Sequence, residues 1–381
     1  MKLLHIIPSL NPAGGGPIEG LKKLVEQYKA LGIQFEIAVM DDPDNSPWLN
    51  DSKIPLHALG PALFTFGYSS KLLPWLKANA VRYDAVIVEG LWQYHGYAVR
   101  KALRATSTPY YVFSHGMLGP WFKQTYPLKH LKKWLYWPWG EYLVLRDAKA
   151  VLFTCEEERI LARQSFWLYQ CREAVVGYGT SRPIGDATQQ RELFFSEFPE
   201  LTGKRIFLFL GRIYKIKGCD LLIEAFAKVA KQDTSLHLVM AGPDQSGWQK
   251  DLVEVSRDLG VAQRITWTGM LSGDLKWGAY HAAEAFVLPS HHENFGVVVA
   301  EALACGVPVL ISNKVNIWRE VEADGAGIVA EDTMAGTVEL FARWLGMDEP
   351  DQTEMRTRAV ACFGSRFEMS STAKNIIDLI S

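Results

Sequence analysis

Short apolar runs of strand length alternate along the chain with longer segments whose apolar positions recur every three or four residues. The runs predict strands, and the longer segments predict amphipathic helices, one of them Ile18–Leu31. Because the strand runs are apolar at nearly every position, they are typical of a parallel sheet covered by helices on both faces. In the first half the predicted strands are Leu3–Ile7, Phe35–Val39, Ala85–Val88, Tyr110–Phe113 and Ala150–Phe153.

The second half of the chain repeats this alternation. Between the halves, the segment 177–203 contains several glycines and prolines and has weak periodicity, which predicts a linker. In the first half, Thr154 and Glu157 have the spacing of a capping box, which predicts the start of a helix. The elements predicted in the second half are the strands Ile206–Leu210, His237–Met240, Ile265–Thr268, Ala285–Leu288 and Val307–Ile311 and the helices Asp220–Val229 and Val297–Ala304.

These elements and the chain length predict the domain organisation. At 381 residues the chain is long enough for two domains, each of which buries its own core. The predicted fold class is α/β, with two Rossmann-like doubly wound domains that face a central cleft. We place the first domain at 1–185 and the second at 186–365, and we expect a C-terminal helix within 366–381 to pack back on the first domain. Functional side chains are expected beyond the carboxyl ends of the strands.

The composition excludes several classes of protein. Apolar residues make up 48% and charged residues 22%, which excludes a disordered or fibrous chain. A formal net charge of −2 argues against nucleic acid as a partner. Five cysteines without C-x-x-C spacing argue against a disulfide framework or a zinc ribbon and favour a reducing, cytoplasmic location. We find neither a signal-peptide pattern nor an apolar stretch of about 18 residues, so neither export nor a membrane span is expected.

Two cations flank the loop that follows the predicted strand Ile206–Leu210. Arg212 and Lys217 lie in the sequence from Gly211 to Gly218, just before a predicted helix. An arginine fork and a lysine point charge together suit a diphosphate group. A solvent-exposed basic loop without a ligand is the alternative, and the segment alone does not decide between the two.

A second candidate binding segment follows the predicted strand Ala285–Leu288. It contains a loop with Gly296 and then a helix, whose first backbone N–H groups can bind an anion. Glu293 lies in the loop, where its carboxylate suits sugar hydroxyls, and Glu301 lies inside the helix, where it suits a ribose diol. An ordinary helix-surface position is the alternative for Glu301. Its apolar neighbours instead predict a buried carboxylate, which needs a partner.

These segments carry a resemblance to a known family. The Glu-x7-Glu element from Glu293 to Glu301, the Gly-Arg-x4-Lys-Gly element from Gly211 to Gly218 and an early glycine-rich loop resemble the retaining glycosyltransferases of the GT-B fold, family four, glycosyl transferases group 1. The resemblance spans nearly the whole chain and is strongest over 205–330. It implies a metal-independent hexosyltransferase, without a cofactor, that moves a hexose from a UDP-sugar to an acceptor hydroxyl in polysaccharide or cell-envelope glycan synthesis.

The resemblance also implies what each part of the chain binds. The first domain would hold a saccharide or lipid-linked saccharide acceptor, and the second would hold the donor, with UDP-glucose as the first candidate. Arg212 and Lys217 would neutralise the leaving diphosphate, Glu293 would contact the hexose, and Glu301 would bind the ribose. The remaining residues implied in donor binding, through backbone amides or beside the nucleobase, are Asn294, Phe295, Gly296, Val297, Val298, Met270 and Leu271.

A glycine-rich loop follows the first predicted strand. Gly14, Gly15 and Gly16 open a helix there, and glycines let a backbone approach a phosphate or a sugar closely. A plain turn is the alternative. Glu19 occupies the position of the third glycine of a dinucleotide fingerprint, so a dinucleotide-dependent dehydrogenase is not supported.

His115 follows the predicted strand Tyr110–Phe113 and is a candidate catalytic residue. It could donate a hydrogen bond to the donor sugar or position the acceptor hydroxyl. A structural histidine is the alternative. The family resemblance favours the functional role, since such enzymes often carry His-Gly at this place.

Two short patterns suggest metal binding. Asp42 and Asp44 have the D-x-D spacing of metal-dependent glycosyltransferases of another fold, but they lie in a run of turn-forming residues that favours a turn. His291 and His292 are adjacent, so their side chains point apart, and no third ligand is placed by spacing. We therefore expect no metal requirement.

The segment Trp121–Tyr142 combines eight aromatic residues with four lysines. This combination suits peripheral contact with the inner face of a membrane, or a lipid-linked acceptor. A helix that packs through its aromatic residues and keeps its lysines in water is an equal alternative.

Two other functions remain open at this point. A nucleotide-sugar epimerase can share a two-domain cleft, but it needs acid and base groups on both faces of the sugar. A non-catalytic sugar-nucleotide binding protein is the other candidate, although two-lobed binding proteins are usually exported.

Overall fold

The structure, a computed structural model, describes residues 1–50, 54–231 and 233–381. The chain forms two compact α/β units. The first unit comprises residues 1–178 and 369–381, and the second comprises residues 179–368. The boundary that the sequence suggests near residue 185 falls a few residues inside the second unit.

The first unit is built on a seven-stranded parallel sheet with the order β3-β2-β1-β4-β5-β6-β7. The strand order reverses between β1 and β4. This position is the switch point of the sheet, and ligand crevices of doubly wound sheets lie there. Its elements before the second unit are β1 Lys2–Ile7, α1 Gly16–Ala30, β2 Gln34–Val39, β3 Leu56–Ala58, α2 Leu72–Asn79, β4 Ala85–Glu89, α3 Tyr94–Leu103, β5 Tyr110–Phe113, α4 Trp121–Thr125, α5 Pro127–Tyr136, α6 Glu141–Asp147, β6 Ala150–Phe153, α7 Glu156–Ala162 and β7 Glu173–Val175.

The second unit is built on a six-stranded parallel sheet with the order β10-β9-β8-β11-β12-β13. Here the order reverses between β8 and β11. Its elements are α8 Ala187–Glu197, β8 Arg205–Leu210, α9 Cys219–Val229, β9 Leu236–Ala241, α10 Gln249–Asp258, β10 Ile265–Gly269, α11 Gly273–Ala282, β11 Ala283–Leu288, α12 Val297–Ala304, β12 Val309–Ser312, α13 Trp318–Ala323, β13 Gly327–Ala330, α14 Met334–Leu345 and α15 Glu349–Cys362.

The last helix, α16 (Met369–Ile380), belongs to the first unit and packs against α1. Its buried residues include Ala373 and Ile376. The side-chain amide of Asn375 donates to the carbonyl oxygen of Val176 at 3.0 Å, which ties the helix to the chain beyond β7. The fold class predicted from the sequence, two doubly wound α/β units, is confirmed.

The middle of the segment predicted as a linker is instead the helix α8, which packs along α11. The two helices approach so closely at Gly278 that a Cβ there would lie 2.1 Å from the carbonyl oxygen of Gln190. The division between the two units falls within this segment, so the linker prediction was wrong only for the residues of α8. The helix was missed because it buries only Gln190 and Phe194 in an otherwise polar sequence, which leaves no clear apolar repeat.

The predicted capping box before α7 was wrong by one residue. The helix begins at Glu156 with Cys155 at the N-cap, so the third helical position is Glu158 and not Glu157. The carboxylate of Glu158 accepts hydrogen bonds from the backbone N–H of Thr154 at 2.7 Å and from its hydroxyl at 2.5 Å. Glu158 therefore connects the start of α7 to the neighbouring loops.

Three strands escaped prediction. They are β3, β7 and β13, each three or four residues long and each at the edge of its sheet. Unlike the similarly short β5 and β6, the strands β3 and β7 each contain a polar residue, so neither forms an apolar run of strand length. Across the part of the chain that the structure describes, every helix is too short or too polar to span a bilayer.

Candidate active site

The two motif-bearing loops of the second unit lie in direct contact. They leave the carboxyl ends of β8 and β11, the adjacent strands between which the sheet order reverses. The backbone N–H of His291 donates to the carbonyl oxygen of Ile216 at 2.8 Å. Gly218 has a left-handed φ of 66°, and a Cβ there would lie 2.3 Å from the carbonyl oxygen of Pro289. A glycine is therefore required where the loops touch.

Lys217 and Glu293, one from each loop, form an ion pair through Nζ and Oε2. Both side chains are largely buried, with 13% and 20% of their surface exposed. Arg212 differs because its side chain is exposed and makes no ion pair with any described residue. The site thus presents one internally neutralised lysine and one arginine that is open to an anion.

The backbone on both sides of Glu293 is fixed by the segment that follows β12. The N–H of Glu293 donates to the carbonyl oxygen of Lys314 at 2.9 Å, and its carbonyl oxygen accepts from the N–H of Asn316 at 3.0 Å. The side-chain amide of Asn316 also donates to Oδ1 of Asn294 at 3.4 Å. These contacts hold the predicted hexose-binding residue in a set position.

The start of α12 follows directly from this loop. Gly296 is the N-cap residue with a left-handed φ of 78°, and Val297 and Val298 are the first helical residues. Their N–H groups have no partner within the helix and lie at its positive end. The side chain of Phe295 is only 4% exposed and packs edge-on against Phe367, so this residue can serve a ligand only through its backbone.

Glu301 is buried in α12, with 5% of its surface exposed. The prediction that it needs a partner is confirmed, and it has two. Lys276 Nζ lies 2.8 Å from Oε1, and the hydroxyl of Tyr280 donates to Oε2 at 3.2 Å. Burial and the neighbouring carboxylate raise the pKa of Tyr280 well above its ordinary value, so it remains a hydrogen-bond donor.

Sequence reasoning missed both partners of Glu301. Lys276 and Tyr280 are four residues apart in α11, so they lie on the same face of the helix. The spacing could have shown that the two side chains share a helix face. Nothing in the sequence, however, indicates that α11 lies next to Glu301 in α12. The ammonium of Lys276 also lies 4.1 Å from the centre of the Trp277 ring, which helps to hold it in place.

The loop after β10, which carries Met270 and Leu271, lies at the same edge of the sheet. The carbonyl oxygen of Gly269 accepts from the N–H of Gly242 at 2.7 Å. A Cβ at Gly242 would in turn lie 1.8 Å from the carbonyl oxygen of Gly211, next to Arg212. Met270 is 74% exposed, so it offers an apolar surface beside the loop of Arg212.

In both sequence patterns that suggested metal binding, side chains contact other groups of the protein. Oδ1 of Asp42 accepts from the N–H of Asp44 at 3.1 Å, and Oδ2 accepts from the side-chain amide of Asn45 at 2.7 Å, which confirms the predicted turn. His291 Nδ1 lies 3.0 Å from an oxygen of Asp332. The pKa of His292 lies below its ordinary value because burial disfavours the charged imidazole. The carboxylate of the neighbouring Glu293 acts in the opposite direction but does not reverse the shift. Over residues 1–50, 54–231 and 233–381, no cluster of three potential metal-ligating side chains is present.

In the first unit the glycine-rich loop joins β1 to α1. Gly15 has a φ of 73° and is the N-cap residue of α1, which begins with Gly16 and Pro17. A Cβ at Gly15 or Gly16 would meet no atom within 4 Å, so the space above this backbone is open. Gly14 ends a short 3-10 turn before it. The loop therefore leaves room for a ligand, and only Gly15 is needed for its backbone conformation.

His115 lies after β5 with a left-handed φ of 47°, which is unusual for a residue other than glycine. Its Nε2 lies 2.6 Å from Oε2 of Glu89, whose Oε1 lies 2.6 Å from Nδ1 of His5. Burial favours the neutral form of Glu89, but the hydrogen bonds from His115 and His5 prevail and lower its pKa to about 2. Sequence reasoning missed both Glu89 and His5. His5 lies within the predicted strand Leu3–Ile7, whereas Glu89 directly follows the predicted strand Ala85–Val88, a position that could have marked it as a candidate.

The segment 121–142 combines features of both alternatives that the sequence left open. Trp137 is fully buried, as a packing residue would be. The helix α5 contains no buried residue, and Leu128 is 79% exposed. Lys133 lies 4.6 Å from the centre of the Trp92 ring, and burial lowers its pKa. The segment is therefore anchored at its end, while α5 presents apolar and basic side chains to the surroundings.

Two family models match this chain. The glycosyl transferase 4-like domain matches residues 15–179, all but the last of them in the first unit, and glycosyl transferases group 1 matches residues 190–360, within the second. Together the two ranges span most of the chain.

Curated relatives match over part of their length. A D-inositol 3-phosphate glycosyltransferase of Nocardia farcinica (strain IFM 10152) is 29% identical over 255 residues, which are 64% of this chain and 54% of that protein. A protein of the same name from Salinispora tropica is 31% identical over 182 residues, which are 45% of this chain and 37% of that protein. The chain thus spans about half or less of the length of these relatives.

Solved structures match the fold over nearly the whole chain. Anabaena HepE in complex with UDP superposes with a TM-score of 0.77 at 17% identity, covering 99% of both chains. The same protein in complex with UDP-glucose gives a TM-score of 0.73 at 18% identity, covering 99% of this chain and 98% of that one. With this fold and with both units matched by family models, the chain belongs to the GT-B glycosyltransferases of family four, glycosyl transferases group 1.

Proposed function

We propose that this protein transfers a hexose, glucose first, from a UDP-sugar to an acceptor hydroxyl with retention of the anomeric configuration and without a metal ion. The observation that carries the proposal is the arrangement at the switch point of the second unit. There, Lys217 and Glu293 pair between two touching loops beside the free amino end of α12. The binding of UDP-glucose by HepE, which shares the fold, supports this choice of donor.

Charge develops on the diphosphate as the hexose leaves, so groups that bind this charge stabilise the transition state more than the ground state. Arg212 is open to such an anion, and Lys217 becomes available when diphosphate oxygens displace the carboxylate of Glu293. That exchange would free Glu293 to accept hydrogen bonds from hexose hydroxyls. The N–H groups of Val297 and Val298 would add the positive end of a helix.

Retention is proposed to follow front-face attack, in which the leaving phosphate accepts the proton of the acceptor hydroxyl. Glu301 would accept hydrogen bonds from the ribose diol, and Lys276 and Tyr280 would hold its carboxylate in place. In the first unit, the glycine-rich loop and His115 would bind and position a saccharide or lipid-linked saccharide acceptor.

Turnover of a panel of donors tests this proposal. Release of nucleoside diphosphate would be measured with UDP-glucose, UDP-galactose, UDP-N-acetylglucosamine and GDP-mannose, with water as the acceptor and with and without EDTA. We expect UDP-glucose to be hydrolysed fastest, at a rate that EDTA leaves unchanged. Preference for GDP-mannose, or loss of turnover in EDTA, would contradict the proposal.

We also propose that α5 binds the inner face of an anionic membrane, where a lipid-linked acceptor would be found. Residues 121–140 contain four lysines and no acidic residue. Apolar side chains stand in water beside these lysines, including Leu131 at 52%, Leu135 at 61% and Trp139 at 81% exposure. Aromatic and aliphatic side chains next to lysines suit the boundary between lipid headgroups and acyl chains.

Reversing two exposed charges on α5 tests the membrane proposal. The variant with Lys129→Glu and Lys132→Glu is chosen because Lys133 is partly buried against Trp92. Since each lysine near an anionic surface contributes about 1 kcal/mol, we expect at least about a tenfold loss of binding to phosphatidylglycerol vesicles. A control with the same charge change, Lys228→Glu and Lys250→Glu on exposed positions of α9 and α10, should bind like the wild type. Failure of the wild-type protein to sediment with the vesicles would refute the proposal.

A further inference from the structure

His115 is part of a largely buried array in which one carboxylate, Glu89, lies between two imidazoles, those of His5 and His115. Glu89 is the last residue of β4, His5 is in β1, and His115 follows β5, so three adjacent strands each supply one member. The side chains of His5, Glu89 and His115 are 0%, 3% and 6% exposed. The array therefore lies at the switch point of the first unit, with Glu89 and His5 shielded from bulk water and His115 at its more exposed end.

The array restricts where His115 can carry its proton. An ionised carboxylate only accepts hydrogen bonds, so each nitrogen that contacts Glu89 must be an N–H. Nε2 of His115 and Nδ1 of His5 are therefore the protonated nitrogens. In neutral His115 this leaves Nδ1 as a free acceptor, and no described residue hydrogen-bonds to it.

The backbone and ring of His115 are held by separate contacts. Oε1 of Glu158 accepts from the hydroxyl of Ser114 and from the N–H of Gly116, both at 2.6 Å, which fixes the loop on either side of His115. The imidazole stacks on Phe113 with ring centres 4.4 Å apart. A residue held in the left-handed region by this many contacts is typical of a preorganised functional site.

We propose that Glu89 is a positioning residue for His115, and that it makes Nδ1 the nitrogen that faces the substrate. His5 completes the device, because its hydrogen bond to Oε1 prevents the carboxylate of Glu89 from rotating away from His115. The inference rests on the proposed transferase function for its effect on rate, but not for the protonation state that it assigns. It goes beyond the sequence motifs, none of which includes Glu89 or His5.

Two variants of Glu89 test this role. Glu89→Leu removes both acceptor oxygens, whereas Glu89→Gln keeps one. We expect Glu89→Leu to lower the kcat for UDP-glucose hydrolysis about tenfold, the loss that follows removal of one hydrogen bond that positions the attacking water, and Glu89→Gln to lower it less. The affinity for UDP should not change in either variant. A merely structural role would lower the thermal stability and leave the kcat of the folded fraction unchanged.

A matched control and a double variant sharpen the kinetic test. Glu36 is also a strand carboxylate that contacts a histidine, His57, at 2.6 Å, but it lies outside the candidate site. Glu36→Gln should keep the wild-type kcat. Because Glu89 acts through His115, the double variant with Glu89→Leu and His115→Ala should be no slower than His115→Ala alone. A further loss in the double variant would overturn the proposal.

Nitrogen-15 NMR of labelled histidines, with His115 assigned from the spectrum of His115→Ala, tests the protonation state without any turnover. At alkaline pH we expect wild-type His115 to be protonated on Nε2 alone, and we expect Glu89→Leu to show both tautomers. A proton on Nδ1 of the wild-type residue would overturn the proposal. If His115→Ala kept full activity, the catalytic role of His115 would fail, while the NMR result would still decide whether Glu89 sets its tautomer.

Discussion

The variant Lys217→Met is expected to turn over UDP-glucose about 100- to 1,000-fold more slowly than the wild-type protein, the loss that follows removal of one preorganised group that binds developing charge. The side chain of Lys217 is largely buried, so its interaction with a diphosphate is weakly screened by water. The change also leaves Glu293 without its partner. Most of the loss should appear in kcat, since the charge on the diphosphate grows as the hexose departs.

Lys215 provides the matched control for this prediction. It lies in the same short 3-10 turn as Lys217, but its side chain is exposed and makes no ion pair with a described residue. Lys215→Met removes the same charge and should change turnover less than about threefold, since exposed charges are screened. Equal losses in the two variants would mean that only the general positive charge of the loop matters.

The variant Glu301→Gln is expected to weaken UDP binding about 10- to 100-fold. Hydrogen bonds to a charged group contribute about 1.5–3 kcal/mol, and each 1.4 kcal/mol corresponds to a factor of ten in affinity. Glutamine is chosen because it keeps the volume of a side chain that is 5% exposed and still accepts from Tyr280. Calorimetric titration with UDP measures the effect.

The proposed contact between Glu301 and the ribose can be tested separately from the overall affinity for UDP. If Glu301 binds the ribose diol, the wild-type protein should prefer UDP to 2′-deoxy-UDP, and Glu301→Gln should lose most of that preference. Glu224→Gln, at an exposed position of α9 in the same unit, should keep both affinity and preference. An unchanged preference in Glu301→Gln would show that Glu301 acts on the ligand only through the local structure.

Features that repeat along the chain were predictable from the sequence. The central strands β1, β4, β8 and β11 are apolar at most of their positions because both faces of each sheet are covered, and this pattern predicted the fold class. Motifs that follow strands were correctly expected at one edge of the sheet. The partner requirement of Glu301 followed from the apolar residues around it in α12, because a buried charge is costly without a partner.

Features that depend on which elements become neighbours were not predictable. Lys217 and Glu293 are 76 residues apart, and Lys276 reaches Glu301 only because α11 packs beside α12. Glu89 ends a strand that reads as core, and its role becomes visible only when β1 and β5 lie on either side of it. The sequence pattern also failed to predict a helix where tertiary packing stabilises one. The helix α8 has a weak apolar repeat, and its contact with α11 compensates for that weakness.

Calorimetric titration of the wild-type protein with UDP-glucose in the presence of EDTA tests the central claim most directly, because it asks whether the second unit holds this donor through its own side chains. We expect one site per chain with a dissociation constant below about 1 mM, the usual range for enzyme substrates, and the same value without EDTA. Absence of binding, or binding only when a divalent cation is added, would contradict it.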